Sequence, residues 1–116
     1  MAVVLVVEDE PLIRMSAVAM VEEAGFDVVE AANADDALQI LECHPEIGIV
    51  LSDVSMPGSM DGLRLAKVIH DRWSSIRLIV ASGKSLPEGA SIPEGGVFLP
   101  KPYAYGDLAD ALVKAN

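Results

Sequence analysis

The chain has few basic residues. Eight Lys and Arg stand against 18 Asp and Glu among 116 residues, which gives a formal net charge of −10. Because no cluster of Lys and Arg is present to release counterions from a phosphate backbone, this composition argues against a nucleic-acid partner. We therefore expect no nucleic acid among the partners of this chain.

Long apolar runs and secretion signals are also lacking. The apolar stretches are far shorter than the ~20 residues that cross a bilayer, and no basic segment opens the chain as in a signal peptide. We therefore expect no membrane partner and a cytoplasmic location. Cys43 is the only cysteine, which excludes an internal disulfide and a Cys-based metal site. Beside His44 it is either a redox or nucleophilic group or, more simply, a helix-end thiol in a reducing compartment.

The chain does have a large apolar fraction, 52%, in a length that fits one domain over residues 1–116. Short apolar runs alternate with helical patterns, which is the βαβ signature of a parallel sheet covered on both faces. This alternation predicts an α/β fold. The predicted strands cover 3–7, 27–31, 47–51, 78–81 and 97–99.

Three helical patterns separate the first four strands. The first begins at Pro11, ends at Gly25 and buries a face made of Ile13, Ala17, Met20, Val21 and Ala24. The second has Asn33 as its N-cap, ends near Pro45 and buries Ala34, Ala37, Leu38 and Leu41. The third buries a stripe made of Leu65, Ala66, Ile69 and Trp73.

The fourth unit departs from this pattern. Residues 83–96 contain two prolines and four glycines and no apolar stripe long enough for a helix, so the helix of this unit is predicted to be short or absent. A last helix is predicted with Asp107 near its start and Lys114 near its end. Its buried face comprises Leu108, Ala111, Leu112 and Ala115.

Groups that can handle phosphate or metal follow four of the predicted strands. Glu8 and Asp9 follow the first strand, Asp53 the third, Ser82 the fourth and Lys101 the fifth. In an open parallel α/β sheet the binding groove lies outside the carboxyl ends of the strands. We therefore expect these distant residues to form one site.

Three carboxylates at adjacent strand ends require a cation, because two like charges ~4 Å apart repel by roughly 4 kcal/mol at an effective dielectric constant of about 20. No His or thiol accompanies them, which favours Mg²⁺ over Zn²⁺. Lys101 and Ser82 supply an ammonium and a hydroxyl for the oxygens of a transferring phosphoryl group. Asp53 is then the predicted nucleophile, which becomes an acyl phosphate.

The order and placement of these residues resemble the receiver domain of two-component response regulators, and the resemblance covers the whole chain. The matching segments are Val6-Val7-Glu8-Asp9-Glu10, Asp53-Val54-Ser55-Met56-Pro57 with Asp61-Gly62, Ala81-Ser82-Gly83, and Phe98-Leu99-Pro100-Lys101-Pro102-Tyr103. The resemblance implies a flavodoxin-like, doubly wound, five-stranded parallel sheet of order 2-1-3-4-5. It also implies a phosphorylation-dependent signalling switch rather than a conventional enzyme.

The resemblance implies Mg²⁺ as the cofactor and assigns its ligands. Asp9 would bind the ion directly, Glu8 partly through water, and Asp53 and the main-chain carbonyl of Ser55 would complete the protein ligands. Asp53 would be the phosphoacceptor.

The same resemblance implies a set of phosphate-binding and switch residues. Ser82 would be the switch hydroxyl, Phe98 the switch aromatic, and Lys101 the phosphate-pairing lysine with a cis bond to the following proline. Two positions are possible modulators. Gly83 lacks a side chain that would partly roof the phosphoryl group, and Lys84 is either a phosphate ligand or an ordinary solvated residue.

Three alternatives share parts of this pattern. A phosphotransferase of the haloacid dehalogenase type needs a second Asp two residues after the nucleophile, where Ser55 stands. A flavin-binding module would bind phosphate through a Ser/Thr-rich first loop, whereas this loop is acidic. The third is a protein interaction domain that signals without phosphorylation, which the intact set of acidic, hydroxyl and lysine residues disfavours.

The resemblance implies a histidine kinase or a histidine phosphotransfer protein as the phosphoryl donor and another protein as the downstream target. A direct target, a phosphorelay and a phosphate sink are all compatible with the sequence. Receivers carry their fourth helix where residues 83–96 stand, so a loop that orders on phosphorylation would replace the usual output face here.

Overall fold

The computed structural model describes residues 3–54, 60–83 and 92–115, which form five strands and four helices. In chain order these elements are β1 (Val3–Val7), α1 (Pro11–Glu23), β2 (Asp27–Ala31), α2 (Ala34–Cys43), β3 (Ile47–Asp53), α3 (Gly62–Arg72), β4 (Arg77–Ser82), β5 (Val97–Pro100) and α4 (Tyr105–Ala115). The predicted α/β alternation is confirmed. Within the described ranges, no helix combines the length and the apolar composition needed to span a bilayer.

The strands form one parallel sheet in the order β2-β1-β3-β4-β5. This is the predicted order, and the fold is flavodoxin-like and doubly wound. The central strands are continuous apolar runs, since helices cover both faces of the sheet and leave no solvent side. Strand β2 has the predicted bounds, and β3 runs on to Asp53, so that the strand itself carries this carboxylate.

Two apolar layers hold the helices on the sheet. On one face α2 and α3 pack through Ala37, Leu41, Leu65 and Ile69, together with alternate strand residues such as Leu5. On the other face α1 and α4 contribute a second set of buried residues: Ala17, Val21, Leu108, Ala111, Leu112 and Ala115. Alternate residues of β1 enter opposite layers, because successive side chains of a strand point to opposite faces.

Several helix ends lie where the sequence predicts them. The Asn33 side chain accepts a hydrogen bond from the Asp36 N–H at 2.8 Å and caps α2. Asp61 caps α3 in the same way, accepting from the Arg64 N–H at 2.9 Å, although this cap was not predicted. Gly25, at φ 97°, follows α1 in the left-handed conformation that glycine adopts most readily. Trp73 lies at the end of α3 and packs against the core, as predicted.

The prediction that Ile13 belongs to the buried face of α1 was wrong. Its side chain is 44% exposed, whereas Ala17 and Val21 on the same helix are buried. Helical spacing identifies a face but not how much of it lies over the sheet. The first turn of α1 instead borders an open groove, whose other wall includes Lys101 and Tyr103.

The unit between β4 and β5 lies partly outside the described residues. The predicted short or absent helix there falls mainly on residues 84–91, which the structure does not describe. Residues 92–96 form a turn without helix. Its Gly96 N–H donates to the Pro93 carbonyl at 2.9 Å.

Candidate functional site

The predicted site residues lie at the carboxyl ends of neighbouring strands. Val7 of β1 is in register with Ser52 of β3, and Asp53 is in register with Ala81 of β4. The Glu8 N–H donates to the Ala31 carbonyl at 3.0 Å, so the hydrogen bonding of β1 to β2 continues one residue past the strand. This register brings Glu8 level with Asp53.

Three carboxylates meet at this edge of the sheet. One carboxylate oxygen from each of Glu8, Asp9 and Asp53 lies within 4.8 Å of the other two. Glu8 is buried, with 5% of its surface exposed, and Asp53 is largely buried. The structure therefore brings together the three acidic residues that the sequence predicts to converge.

Lys101 enters the same cluster from the loop after β5. Its Nζ lies 2.7 Å from Glu8 Oε1 and 3.2 Å from Asp53 Oδ1. Its main-chain N–H donates to the Ser82 carbonyl at 2.8 Å, which fixes the start of the loop against β4. The bond from Lys101 to Pro102 is cis, as the resemblance implies.

The pKa values of Glu8 and Lys101 report the charge balance of the cluster. Burial is the largest influence on Glu8 and raises its pKa, and the Asp53 charge acts in the same direction; hydrogen bonds from Lys101 and the Glu10 N–H only partly offset them. Burial acts to lower the pKa of Lys101, but the hydrogen bond to Glu8 and the charges of Asp53 and Glu8 outweigh it and raise the pKa. By formal count, three carboxylates face one ammonium in this cluster, which leaves an excess of negative charge.

This donor set fits a hard divalent cation. Mg²⁺ binds in proteins through a few carboxylate oxygens and keeps several waters. Three carboxylates around one point, with an excess of negative charge, match that preference. Ser55, whose main-chain carbonyl was predicted as a further ligand, lies outside the described residues.

Comparison with known proteins identifies the family. Residues 4–113 match the model of the response regulator receiver domain. The chain belongs to this family. It is a receiver domain of the two-component signalling type, and receiver domains are signalling domains and not conventional enzymes. This family assignment disfavours the haloacid dehalogenase and flavin-module alternatives.

Two curated relatives illustrate the match. The receiver is 39% identical over 116 residues to the sensor kinase CckA of Brucella abortus, covering 93% of this chain and 12% of the relative. It is 35% identical over 112 residues to the transcriptional regulatory protein PdtaR of Mycobacterium tuberculosis, covering 94% of this chain and 54% of the relative. The receiver thus spans only part of the length of these relatives.

Solved structures give the same result. The receiver domain of the hybrid histidine kinase CckA superposes with a TM-score of 0.84 at 32% identity, covering 98% of both chains. The response regulator TrrA of Thermotoga maritima, solved in complex with Mg²⁺ and BeF, superposes with a TM-score of 0.90 at 25% identity over the whole of both chains.

The remaining predicted residues are distributed around the carboxylate cluster. Ser82 is buried at the end of β4, one residue beyond the Ala81 that is in register with Asp53. Phe98 is half-buried on the edge strand β5, where it lines a groove with Asp107 and Lys114. A Cβ at Gly83 would lie 3.9 Å from Lys101 Cβ, which is ordinary van der Waals contact. Lys84 lies outside the described residues.

Two supporting residues of the receiver were not predicted as such. Gly62 begins α3 so close to β3 that a Cβ there would collide with the main-chain oxygen of Asp53 and lie 2.7 Å from its carbonyl carbon. Arg14 of α1 donates from Nη1 to the main-chain oxygen of Glu8 at 2.9 Å. The Asp61-Gly62 pair was visible in the sequence, but its close approach to Asp53 depends on how α3 packs. The contact of Arg14 depends on where α1 starts relative to β1.

Proposed function

We propose that this receiver accepts a phosphoryl group on Asp53 from a histidine kinase or a histidine phosphotransfer protein. The observation that carries the proposal is the position of the Asp53 carboxylate. It lies at a strand end, with Lys101 Nζ 3.2 Å from Oδ1 and with two further carboxylates close by. A nucleophilic carboxylate beside a fixed ammonium and a cation site is suited to phosphoryl transfer.

In the proposed step, a carboxylate oxygen of Asp53 forms a bond to phosphorus while the P–N bond of a phosphohistidine breaks. The bonding electron pair leaves with the imidazole nitrogen of the donor. The product is an acyl phosphate on Asp53. Lys101 keeps its proton throughout, because its raised pKa favours the ammonium form, and it offsets negative charge on the phosphoryl oxygens.

Glu8, Asp9 and Asp53, with the main-chain carbonyl of Ser55, would hold Mg²⁺ in this proposal. When bound, the ion neutralises charge on the transferring group. Support comes from the carboxylate cluster of this chain and from TrrA, which was solved with Mg²⁺ and BeF.

Further roles in the proposal follow the family pattern. Ser82 would donate its hydroxyl to a phosphoryl oxygen, and Phe98 would change its packing on β5 in response. Gly83 would leave the phosphoryl group open to water, and Lys84 would modulate its charge. A buried serine next to the register position of Asp53 supports the first of these roles.

We further propose that the 116 residues act as a single receiver domain that signals through protein contacts in the cytoplasm. The net charge of −10 supports a protein target over a nucleic acid. Direct output, relay and sink functions all use the same acyl phosphate, so they share the test below.

Transfer from a phosphorylated donor tests this proposal. A histidine phosphotransfer protein carrying labelled phosphohistidine is mixed with wild type, with Asp53→Asn and with Asp71→Asn, with and without Mg²⁺. Asp71 is an exposed carboxylate on α3, so its variant is the matched control. We expect label to move to the wild type and to Asp71→Asn only when Mg²⁺ is present, and Asp53→Asn to stay unlabelled.

Two results would contradict the proposal. Equal labelling of Asp53→Asn would place the phosphoryl group elsewhere. No labelling of the wild type by several active donors would favour the alternative of a receiver-shaped interaction domain that signals without phosphorylation.

A further inference from the structure

Arg14 links the acidic loop after β1 to the edge strand β2. Its Nη1 donates to the main-chain oxygen of Glu8 at 2.9 Å, and its Nε donates to Glu30 Oε1 at 3.1 Å. The Arg14 side chain is 21% exposed, and that of Glu30 is 52% exposed. One guanidinium therefore bridges two acceptors that are far apart in sequence, with the fixed geometry that arginine provides.

The contact holds the peptide that joins Glu8 to Asp9. On one side of Glu8, its N–H donates to the Ala31 carbonyl of β2 at 3.0 Å. On the other side, its carbonyl accepts from Arg14, which Glu30 of the same strand anchors. Because the main-chain N–H and carbonyl of Glu8 are both fixed relative to β2, the direction of the backbone from Glu8 to Asp9 is fixed as well.

We propose that Arg14 is a positioning residue for the cation site, acting on Asp9 and Glu8 through their shared peptide and not by touching the ion. The inference rests on the proposed function, since it takes the three carboxylates as the Mg²⁺ site. Groups that orient metal ligands from outside the coordination sphere commonly contribute about tenfold or more to metal affinity.

The sign of the effect separates positioning from charge. Arg14 is a cation near a site for a cation, so removing its charge should by itself strengthen Mg²⁺ binding. Loss of positioning should weaken it. A weaker affinity in Arg14→Met therefore cannot result from the change in charge.

The test measures Mg²⁺ binding by calorimetry in the wild type, Arg14→Met, Arg14→Lys and Arg72→Met. Arg72 is the matched control, because its Nη2 also pairs with a glutamate, Glu42 Oε1, at 2.7 Å, and it lies on the opposite face of the sheet. We expect the dissociation constant to rise about tenfold in Arg14→Met and to stay unchanged in Arg72→Met. Arg14→Lys keeps the charge but offers no planar pair of donors, so it should fall between wild type and Arg14→Met.

Unfolding by urea without Mg²⁺ shows that each variant is folded under the binding conditions. Unchanged or tighter Mg²⁺ binding in folded Arg14→Met, or in folded Arg14→Lys should the Met variant not fold, would overturn the inference while leaving the proposed function intact. If the wild type shows no saturable Mg²⁺ binding, the proposed function fails and the inference fails with it.

Discussion

At the scale of single residues, the site combines three carboxylates with one ammonium. Glu8 is buried next to Asp53 and shares Lys101 with it. The two raised pKa values have different main causes. Burial is the largest cause at Glu8, and the Asp53 charge adds to it. At Lys101 the hydrogen bond to Glu8 and the charges of Asp53 and Glu8 outweigh burial. A divalent cation bound between the three carboxylates, as proposed, would offset this negative charge.

The raised pKa of Glu8 predicts a pH-dependent stability in Mg²⁺-free buffer. When folding raises the pKa of a carboxyl group, its contribution to the free energy of unfolding is complete below its unfolded pKa, near 4.5. That contribution is lost as the pH rises through its folded pKa. We therefore expect Glu8→Gln to become progressively more stable than wild type as the pH rises from 4.5. Urea unfolding in the presence of EDTA across this range measures the difference. A difference in the free energy of unfolding that does not change with pH, or that grows in favour of wild type, would contradict the raised pKa of Glu8.

At the scale of elements, the start of α3 holds the end of β3. The Gly62 N–H donates to the Val54 carbonyl at 2.8 Å, and the missing side chain lets the helix approach the main chain of Asp53. The adjacent Asp61 caps the same helix. The helix therefore fixes the backbone that carries the proposed phosphoacceptor.

Glycine-to-alanine substitutions test this approach. In Gly62→Ala the new Cβ would meet main-chain atoms, so we expect a loss of about 3 kcal/mol in the free energy of unfolding and slower phosphorylation of Asp53. Gly106 of α4 is the matched control, because a Cβ there meets nothing within 4 Å. Gly106→Ala should stabilise the fold by about 0.5 kcal/mol, as alanine favours a helix over glycine. Thermal or urea unfolding measures the stability of both variants. Equal changes in the free energy of unfolding at the two positions would contradict the close approach of α3 to β3 at Gly62.

The elements also show what the sequence could predict. Strand β1 and the cap at Asn33 follow from local signals, namely an apolar run and a side chain that accepts a hydrogen bond from its own helix. The exposure of Ile13 does not follow from local signals, because helical periodicity does not show how far α1 extends beyond the sheet. The bridge from Arg14 to Glu30 joins α1 to β2, so it depends on how α1 packs on the sheet, which local sequence signals do not show.

At the scale of the whole molecule, the parallel sheet turns scattered residues into one site. Glu8, Asp53 and Lys101 are far apart in sequence but follow strands whose carboxyl ends share one edge. This convergence was predictable, because the order of a doubly wound sheet fixes which strand ends are neighbours. The distances between Lys101 and the carboxylates were not predictable, since they depend on side-chain conformations and on the loop that carries Lys101.

Phosphorylation of Asp53 can be measured from the intact mass of the chain after incubation with acetyl phosphate, a donor that needs no partner protein. Phosphorylation of Asp53 would release acetate and add one phosphoryl group. We expect this gain in wild type only with Mg²⁺, and no gain in Asp53→Asn. A gain that persists in Asp53→Asn, or that does not depend on Mg²⁺, would contradict phosphorylation of Asp53 at a magnesium site.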